Sequence, residues 1–451
     1  MNLALEIARQ TMMQAQTAMG VATNNIANQT VEGYTRQRVD LKSSISITNG
    51  KNLVGTGAYI SSIERLRTGF YDKQYRENLG IYKNADTLST AYARMETFFG
   101  SLDGDTGLKT SLNSFFNSLE ELSKNPEKTG IKQVVRDSAN TVVQSFNLVS
   151  SNLKTMKEQY ATYSESKVDT INKTLSNLQS VNDEIGRLSS MGQSPNDLLD
   201  ERDRLIDSLS ADMDISIISA ENNKVNIVSN GHVLVQDGYS SSLKHTKNVD
   251  GSISISYEDG TDFKSAGGEL VALSKVVNEK IPEYNEKLDL LAKDFINSFN
   301  ALHRTGVNSD GTTGIDFFEG TGASDIKITD EILNDSSLVM TSTDGASGSN
   351  NLVLQLINLK ESKSIDGGKY GVIEFFDNVS ASISTETSTI KTKTENYKYI
   401  KDEIYIMRSN ETGVNEDEEL LTSVKLQQTF AAASKIISTL NEMFDSLMTA
   451  V

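Results

Sequence analysis

A turn-rich acidic segment has part of the spacing that a calcium site needs. Residues 308–319, NSDGTTGIDFFE, place oxygen-bearing side chains at the first, third and fifth positions of a calcium loop and Glu319 at the twelfth. The glycines of this segment miss the sixth position, where such loops turn sharply. We therefore expect a turn-rich loop that docks Phe317 and Phe318 against the core, and no calcium site.

A cluster of charged residues, Asp200-Glu201-Arg202-Asp203-Arg204, offers adjacent carboxylates of the kind that acid–base catalysis uses. On a helix, however, Asp200 and Arg204 lie one turn apart, where opposite charges attract each other. No histidine or lysine signature accompanies these carboxylates. We therefore expect the cluster to form a solvated, salt-bridged helix face.

Other catalytic and metal-binding patterns are missing from the sequence. The three histidines, His232, His245 and His303, lie far apart and lack the HxxxH or HExxH spacing of a zinc site. There is no cysteine, no GxSxG elbow and no Walker loop, and the glycine pair in 55–57 precedes an extended segment rather than a helix. We expect no catalytic residue, no cofactor and no metal, and thus a protein that is not an enzyme.

The charge balance and the apolar pattern argue against two classes of partner. Lys and Arg number 43 against 61 Asp and Glu, which leaves a formal net charge of −18 and disfavours binding to nucleic acid. No apolar run approaches the length of about 18 residues that a membrane span needs. The first residues, MNLALEIARQTMMQAQ, lack the pattern of a cleaved signal peptide, so any export is expected to read an uncleaved end.

Both ends of the chain carry apolar residues in alternating steps of three and four, the pattern of a coiled-coil helix. The amino-terminal seam comprises Leu5, Ala8, Met12, Ala15, Met19, Ala22 and Ile26. The carboxyl-terminal seam comprises Leu426, Phe430, Ala433, Ile437, Leu440, Phe444, Leu447 and Val451. Such seams serve either as ordinary bundle core or as a docking surface. We predict two long terminal helices that need a partner, in their own chain or in a neighbouring one.

Between these helices, helical and extended patterns alternate along the chain. The first half is predicted to contain extended chain or a β-hairpin within 29–63. Long helices are predicted over 65–190, with breaks at 100–105 and 125–126, and a further helix starts at 194–197. The second half is predicted to contain a β-rich stretch over 212–263, a helix over 268–303, loop-rich stretches over 305–325 and 341–350, and a helix over 352–408 with a weak point at 366–368.

Four residues at predicted helix ends carry local signals. Asn28 is suited to end the first helix in a left-handed conformation, and Gly33 permits a positive φ after it. Ser194 is the candidate N-cap of the helix that follows it, and Asn415 is the candidate N-cap of the terminal helix.

Together these patterns predict a mainly α fold with a small β insertion in an elongated, multi-domain molecule. Single cores stop growing at about 250 to 300 residues, so 451 residues favour more than one domain. The expected units are a terminal coiled coil (1–64 with 410–451), a rod-like middle of long helices (65–211 with 266–409), and a small β-rich outer domain (212–265) with the loop-rich segment 305–350 beside it.

The residues that end the first helix resemble a signature of bacterial flagellar axial proteins. Residues 24–28, with Asn24, Asn25, Ala27 and Asn28, are followed by Gly33 and Tyr34 and are similar to the NNxANxxTxGY segment of rod, hook and hook-associated proteins. Val31 stands where that signature has threonine. The resemblance indicates the axial class of flagellar subunits.

Further segments resemble one group within this class, the hook-associated protein 1 (FlgK) family. Its NDLLDxRD helix is matched by Asn196, Leu198, Leu199, Asp200, Arg202 and Asp203. Similar matches are GYTRQ at 33–37, an NxxHxxG loop ending in DFF within 299–318, GVN followed by DEE at 413–419, Gln427-Gln428, and MFD at 443–445. Because these matches span most of the chain in family order, the chain is identified as a member of this family.

The resemblance implies a structural subunit of the bacterial flagellum at the junction between hook and filament. It implies self-association in a ring, contacts with hook protein and with the second junction protein, and assembly through the two seams. It further implies export by the flagellar type III apparatus, with a chaperone on the carboxyl-terminal helix beforehand. The protein is then expected outside the cell, in the flagellum, and in the cytoplasm before export.

Two alternative functions share some of these features. Another axial subunit, hook or rod protein, would carry the amino-terminal signature, but the segments 196–203 and 413–419 argue against it. A membrane-active protein would need a basic polar face, whereas the last helix has more carboxylates than lysines.

Members of the family often carry a sizeable β-domain after the DFF loop. In this chain only residues 320–350 separate that loop from the next predicted helix, so we expect a reduced outer part.

Overall fold

The computed structural model of the chain describes residues 2–49, 52–100, 107–308 and 310–449. Most of the predicted break at 100–105 and the end of the carboxyl-terminal seam at Val451 lie outside these residues. Within them the molecule is mainly helical with small antiparallel sheets, which confirms the predicted fold class.

The helices carry most of the architecture. They are α1 (Asn2–Ala27), α2 (Gly69–Phe99), α3 (Leu108–Lys124), α4 (Thr129–Ser190), α5 (Asn196–Asp212), α6 (Glu269–Lys275), α7 (Ile281–His303), α8 (Asp330–Asn334), α9 (Asn351–Asn358), α10 (Val372–Thr412) and α11 (Glu416–Thr449). A π-helical turn, Val276–Lys280, joins α6 to α7, and a 3-10 turn, Ser336–Leu338, follows α8.

The strands form small antiparallel sheets, as the sequence predicts. The predicted hairpin consists of β1 (Gln37–Ser43) paired with β4 (Ala58–Arg65), and of β2 (Ile47–Asn49) paired with β3 (Asn52–Val54). The predicted β insertion consists of β5 (Ser216–Ser219), β6 (Val225–Ser229), β7 (His232–Gln236) and β8 (Tyr239–Ser240) in sequential order, then β9 (Leu243–Lys247) paired with β10 (Ile253–Tyr257). A short pair joins β11 (Phe318–Glu319) to β12 (Lys327–Ile328).

The larger hydrophobic core lies among α2, α3, the first half of α4, α7 and α10. Its centre is a group of phenylalanine rings whose centroids lie 4.7 to 6.2 Å apart, contributed by Phe115, Phe295, Phe299, Phe317 and Phe318. Phe317 and Phe318 have no exposed surface. The prediction that the loop ending in DFF docks these two residues is therefore confirmed.

A second, smaller core lies between the second half of α4, α5 and the β insertion. Asn182 of α4 accepts a hydrogen bond from the backbone N–H of Val225, and Asn172 bonds both backbone groups of Leu243. Because α4 has 62 residues, it extends roughly 93 Å at 1.5 Å per residue and contributes to both cores. This helix makes the middle of the molecule rod-like.

The π-helical turn between α6 and α7 has a local cause in Pro282. Proline lacks the N–H group that a regular helix would bond to the carbonyl of Asn278, and its ring crowds that carbonyl. The wider turn relieves this conflict. Asn278 lies in this turn, and its side chain forms hydrogen bonds with the backbone N–H and C=O of Ile253 in β10, at 2.8 Å each. The sequence predicted one helix over 268–303 and did not predict this turn.

The prediction of a single helix over 352–408 is wrong. Helix α9 ends at Asn358 and α10 begins at Val372. Between them Asp366, Gly367 and Gly368 have φ values of 54°, 65° and 85°, a left-handed conformation that a right-handed helix cannot contain. The predicted weak point is thus a complete break.

Of the four predicted signals at helix ends, two are confirmed and two are wrong. Gly33 has a φ of 84°, and Asn415 Oδ1 accepts hydrogen bonds from the backbone N–H groups of the first turn of α11. Ser194 does not cap α5, because Pro195 occupies that position. Asn28 is not left-handed; its side-chain amide donates to the carbonyl oxygen of Asn24 at 2.9 Å.

His303 ties the end of α7 to two loops inside the larger core. Its Nδ1 donates to the carbonyl oxygen of Ile315 at 2.8 Å, and its Nε2 accepts from the backbone N–H of Met340 at 3.1 Å. These two roles require the neutral ring, with the proton on Nδ1. Complete burial lowers the pKa of His303 to about 4.

We expect the stability of the larger core to fall as the pH is lowered from about 6.5 to 4. In the unfolded chain His303 binds a proton near pH 6.5, whereas in the folded chain it binds one only near pH 4. This one group should lower the free energy of unfolding by about 2 kcal/mol between pH 7 and pH 4.5. Urea unfolding at the two pH values measures the loss.

His303→Gln should be less stable at pH 7 but should lose about 2 kcal/mol less on acidification. His232→Gln, which replaces the histidine stacked on Tyr257, is the matched control and should keep the dependence of the parent chain. An unchanged pH dependence in His303→Gln would contradict this role of the ring.

Candidate assembly site

The amino-terminal seam faces α11. Helix α1 packs against α11, and Asn25 near the end of α1 contacts Glu419 in the first turn of α11, so the two helices run antiparallel. Three alanines spaced by seven residues, Ala8, Ala15 and Ala22, are the most buried members of the seam. The longer members Leu5, Met12, Met19 and Ile26 are half-buried. The predicted pairing of the terminal helices is confirmed.

The carboxyl-terminal seam is buried along only part of its length. Ala433 is 3% exposed, and Leu426, Phe430, Ile437 and Leu440 are half-buried. Phe444 and Leu447, the last two described members, are 36% and 54% exposed. Because α11 has 34 residues and α1 has 26, the end of α11 extends roughly 12 Å beyond its partner at 1.5 Å per residue.

A second set of apolar residues on α11 lies beside the seam and shares Leu447 with it. Ile436, Met443 and Leu447 recur at steps of seven and four, which places them on one face of the helix. They are 50%, 51% and 54% exposed. Together with Phe444 and Met448 they leave the end of α11 with an apolar surface that the described part of the chain does not cover.

Asn25 joins α1 to the start of the hairpin and to α11. Its Nδ2 donates to the carbonyl oxygen of Gln37 at 2.9 Å and to Glu419 Oε2 at 3.2 Å. Its Oδ1 accepts from the Tyr34 hydroxyl at 2.8 Å and from the backbone N–H of Gln37 at 2.9 Å. The side-chain amide is only 1% exposed, so its four bonds replace those that water would supply.

The residues directly after the amino-terminal signature bind α5 and α11. The backbone N–H of Thr35 donates to Asp200 Oδ2 at 3.0 Å. Arg36 donates from Nε to Glu419 at 2.6 Å and from Nη1 to Glu418 at 2.8 Å. Three segments that the sequence singled out separately, 24–37, 196–203 and 413–419, therefore meet at one place, the base of the terminal helix pair.

Behind this base lies a set of buried ion pairs that we call the ionic cluster. Its members come from the end of β4, the link to α2, the first part of α2, α5 and the end of α10, and their side chains are at most 19% exposed. They are Arg65, Arg67, Arg76, Arg408, Asp72, Asp200, Asp203 and Asp207. Asp203 contacts three of these arginines, Arg65 at 2.9 Å and both Arg67 and Arg76 at 3.4 Å.

Arg408 closes the ionic cluster from the carboxyl-terminal side. Its guanidinium contacts Asp72 of α2 at 2.8 Å and Asp207 of α5 at 2.7 Å. Its guanidinium carbon also lies 4.9 Å from the centre of the Tyr75 ring. The end of α10, from which the chain enters α11, is thus fixed to two other helices.

The predicted solvated face at 200–204 is wrong. Asp200, Arg202 and Asp203 are at least nine-tenths buried, because α5 inserts this face between β4 and α2. An exposed pair does form here, but Arg204 contacts Glu201 at 2.6 Å and not Asp200, the partner that the spacing predicted. Spacing within one helix could not reveal partners that come from other elements.

Electrostatics at the base follow from these contacts. Burial alone would raise the pKa of Asp203, but the guanidiniums of Arg67, Arg65 and Arg76 outweigh it and hold that pKa below its ordinary value. Burial and the neighbouring carboxylates raise the pKa of Tyr34 to about 12. Its hydroxyl therefore stays protonated and can donate to Asn25 at any physiological pH.

The other predicted site residues lie around this base without joining its main contacts. Asn24, Asn28 and Gly33 line a shallow cleft of about 320 Å³ between the turn after α1 and the start of α5. Ala27 is exposed, and Leu198 and Leu199 are half-buried. Asn196 is buried and donates to the Gln37 side chain and to the carbonyl oxygen of Ile63.

Sequence reasoning missed the partners that complete the base. Arg65, Arg67, Arg76 and Arg408 lie in segments without a signature, and nothing in their local pattern marks them. Thr35 and Arg36 could have been found, because they directly follow Gly33 and Tyr34 in a segment that matches the family.

The contacts at the base hold elements of the fold together. The ionic cluster engages each of its carboxylates with at least one guanidinium, which leaves no free acid and base pair. Among the residues that the structure describes, no group of His, Asp and Glu could hold a metal ion. In the same residues no helix has the length and apolar character of a membrane span.

Comparison with known families matches three parts of the chain. The model described as flagellar hook-associated protein FlgK helical domain matches residues 92–318. The model described as flagella basal body rod protein matches residues 5–35, and that described as flagellar basal body rod FlgEFG protein C-terminal matches residues 409–450. The two terminal matches cover most of α1 and all of α11, the two terminal helices.

Curated relatives resemble the chain over nearly its whole length. Flagellar hook-associated protein 1 of Bacillus subtilis is 30% identical over 498 residues, covering 99% of this chain and 97% of the relative. The proteins of the same name from Salmonella typhimurium and Escherichia coli are each 24% identical and cover 96% of this chain and 97% of the relative. Their alignments run over 545 and 537 residues, so both relatives contain residues that this chain of 451 lacks.

A solved structure supports the fold. The flagellar hook junction protein FlgK from Burkholderia pseudomallei superposes with a TM-score of 0.62 and covers 74% of this chain and 99% of the solved chain. Its sequence identity of 12% limits this likeness to the fold.

Removing one carboxylate from the ionic cluster should destabilise the chain strongly. Asp203→Ala removes the counter-charge that the buried side chains of Arg65, Arg67 and Arg76 share. The free energy of unfolding should fall by about 3 to 5 kcal/mol. The matched control Glu201→Ala, two residues earlier on α5, removes only an exposed pair and should cost less than about 1 kcal/mol. Urea unfolding compares them, and equal losses would contradict a structural role for the cluster.

Replacing the amide of Asn25 should free the first turn of α11. Asn25→Asp keeps the shape of the side chain but removes its two donors and places a carboxylate beside Glu419. Hydrogen exchange of residues 413–425 should become faster. Asn24→Asp, at the neighbouring exposed position, should leave that exchange unchanged. Equal exchange in both variants would show that Asn25 does not hold the helix.

Proposed function

The chain belongs to the flagellar hook-associated protein 1 (FlgK) family, and we propose that it is a structural subunit of the junction between the flagellar hook and filament. The observation that carries this proposal is the terminal helix pair, of which one member ends in an uncovered apolar surface at Phe444 and Leu447. In this function the chain builds part of the flagellum and catalyses no reaction.

The physical argument starts from the thin seam between α1 and α11. Alanines fill the centre of this seam, so the pair buries little apolar surface within one chain. The residues Ile436, Met443 and Phe444 then expose a comparable apolar surface to solvent. Side-by-side packing of such pairs in a ring of subunits would bury it. We therefore propose both seams as the assembly surface.

The proposed partners follow from the position in the axis. The subunit would contact hook protein on one side and the second junction protein on the other, and copies of itself within the ring. Before export through the flagellar type III apparatus, a chaperone would cover the apolar end of α11. A chain without cysteines has no disulfide that would prevent its unfolding for such a passage.

We further propose that the division of the chain serves this function. The terminal unit (1–64 with 410–451) would form the inner tube, the long-helix unit (65–211 with 266–409) would surround it, and the β unit (212–265) would lie outermost. A hook or rod protein is the alternative function. The terminal matches at 5–35 and 409–450 fit that alternative, whereas the match at 92–318 favours the hook-associated family.

Placing a charge on the end of α11 should prevent assembly without unfolding the subunit. Phe444 is 36% exposed near the end of α11, far from both hydrophobic cores, so Phe444→Asp should leave the circular dichroism and the thermal midpoint of the purified chain nearly unchanged. Cells that carry only this variant should form hooks without filaments and release filament protein into the medium. Electron microscopy and analysis of the medium measure both outcomes.

Ser446→Asp is the matched control, because Ser446 lies on the opposite side of the same turn and is already exposed. Cells with this variant should have normal filaments. Normal filaments with Phe444→Asp would refute the end of α11 as an assembly surface. Cells that lack the gene should also form hooks without filaments; cells without hooks would indicate a hook or rod subunit instead.

A further inference from the structure

A groove of about 1110 Å³ lies beside the ionic cluster, between α2, α5 and β5. Helix α5 forms its floor, α2 forms one wall, and the edge strand β5 forms the other. Lys73, whose side chain is 80% exposed, also lines the groove, so the groove reaches the surface. Its lining includes four guanidiniums, those of Arg65, Arg67, Arg76 and Arg202, and four carboxylates, those of Asp72, Glu77, Asp203 and Asp214.

Arg202 differs from the other three arginines because it has no carboxylate partner in the described part of the chain. Its Nη1 donates to the backbone carbonyl oxygen of Asn223, and its Nε has no acceptor. Arg202 is only 9% exposed. A buried guanidinium without an anion is unfavourable, and proteins normally pair such groups.

The carboxylates of the ionic cluster cannot serve Arg202, since each is already engaged. Asp200 binds Arg65, and Asp203 is shared by Arg65, Arg67 and Arg76. Asp207 is held by Arg76 and Arg408. The ionic cluster has four arginines and four aspartates, so the charge of Arg202 is in excess there, although the whole chain carries −18.

The surroundings of Arg202 confirm that its charge is poorly compensated. Burial lowers the pKa of Arg202, and the positive charges of Arg65, Arg76 and Arg67 lower it further, against the opposing effect of Asp203. A bound anion would relieve both effects.

We propose that this groove binds an oxyanion, a phosphate or a carboxylate, with Arg202 as its main ligand. The planar guanidinium carries parallel N–H donors that match two oxygens of either group. The Nε–H of Arg202 has no acceptor but is buried, so the side chain must shift toward the groove to offer this donor to the anion. The binding site does not depend on the proposed junction function, because it lies on the body and contains no residue of the terminal helices.

The test titrates inorganic phosphate and acetate into the purified full-length chain at pH 7 and constant ionic strength, with chloride as the reference. At saturation we expect the thermal midpoint to rise by about 2 °C and hydrogen exchange to slow in residues 196–230. Arg202→Lys, which keeps the charge but loses the paired donors, should reduce the response to half or less. Arg204→Lys, two residues later on the exposed side of α5, should respond like the parent chain.

The two probes separate the possible sources of the oxyanion. A response to phosphate alone supports a phosphate-bearing ligand, whereas a response to acetate as well supports a carboxylate side chain of another protein. If Arg202→Lys folds poorly, the Arg Nε–H signals in a nitrogen NMR spectrum of the parent chain decide, because one of them should shift on titration. Absence of any response in the parent chain, or an equal response in both variants, would overturn the proposal.

Discussion

The arrangement of the whole molecule depends on one constraint, which is that charges removed from water must be paired. In the ionic cluster, four arginines and four aspartates from β4, α2, α5 and α10 satisfy one another. Moving any one of these elements would leave a buried charge without its partner. The cluster therefore determines where the terminal helices leave the body, because α10 continues into α11 and Thr35 binds Asp200.

The hydrophobic cores and the proposed assembly surface lie in different parts of the chain. The body has two hydrophobic cores along α4, one rich in phenylalanine and one beneath the β insertion. The terminal pair has a seam centred on alanines, and the end of α11 lies beyond the reach of α1. The exposed apolar end of α11 is the surface that we propose for contact with a neighbouring subunit.

Local patterns predicted the elements well and their interruptions poorly. Helices and strands follow periods of 3.6 and 2 residues that are visible in a single segment, so the terminal seams, the hairpin and the β insertion were found. The break over 359–371 and the π-helical turn before Pro282 were missed or underestimated. An interruption is decided by what packs against the helix, as Asn278 does with Ile253, and this information lies elsewhere in the chain.

The sequence by itself determined which residues form the seams, that Phe317 and Phe318 enter the core, and which family the chain resembles, because these properties depend on neighbours in sequence. Only the tertiary structure decided that Asp200 and Asp203 are buried rather than solvated. Their partner Arg65 is 135 and 138 positions away, and no local pattern relates residues so far apart. The pairing of charges across elements depends on distances in space, which exist only after α5 has packed between β4 and α2.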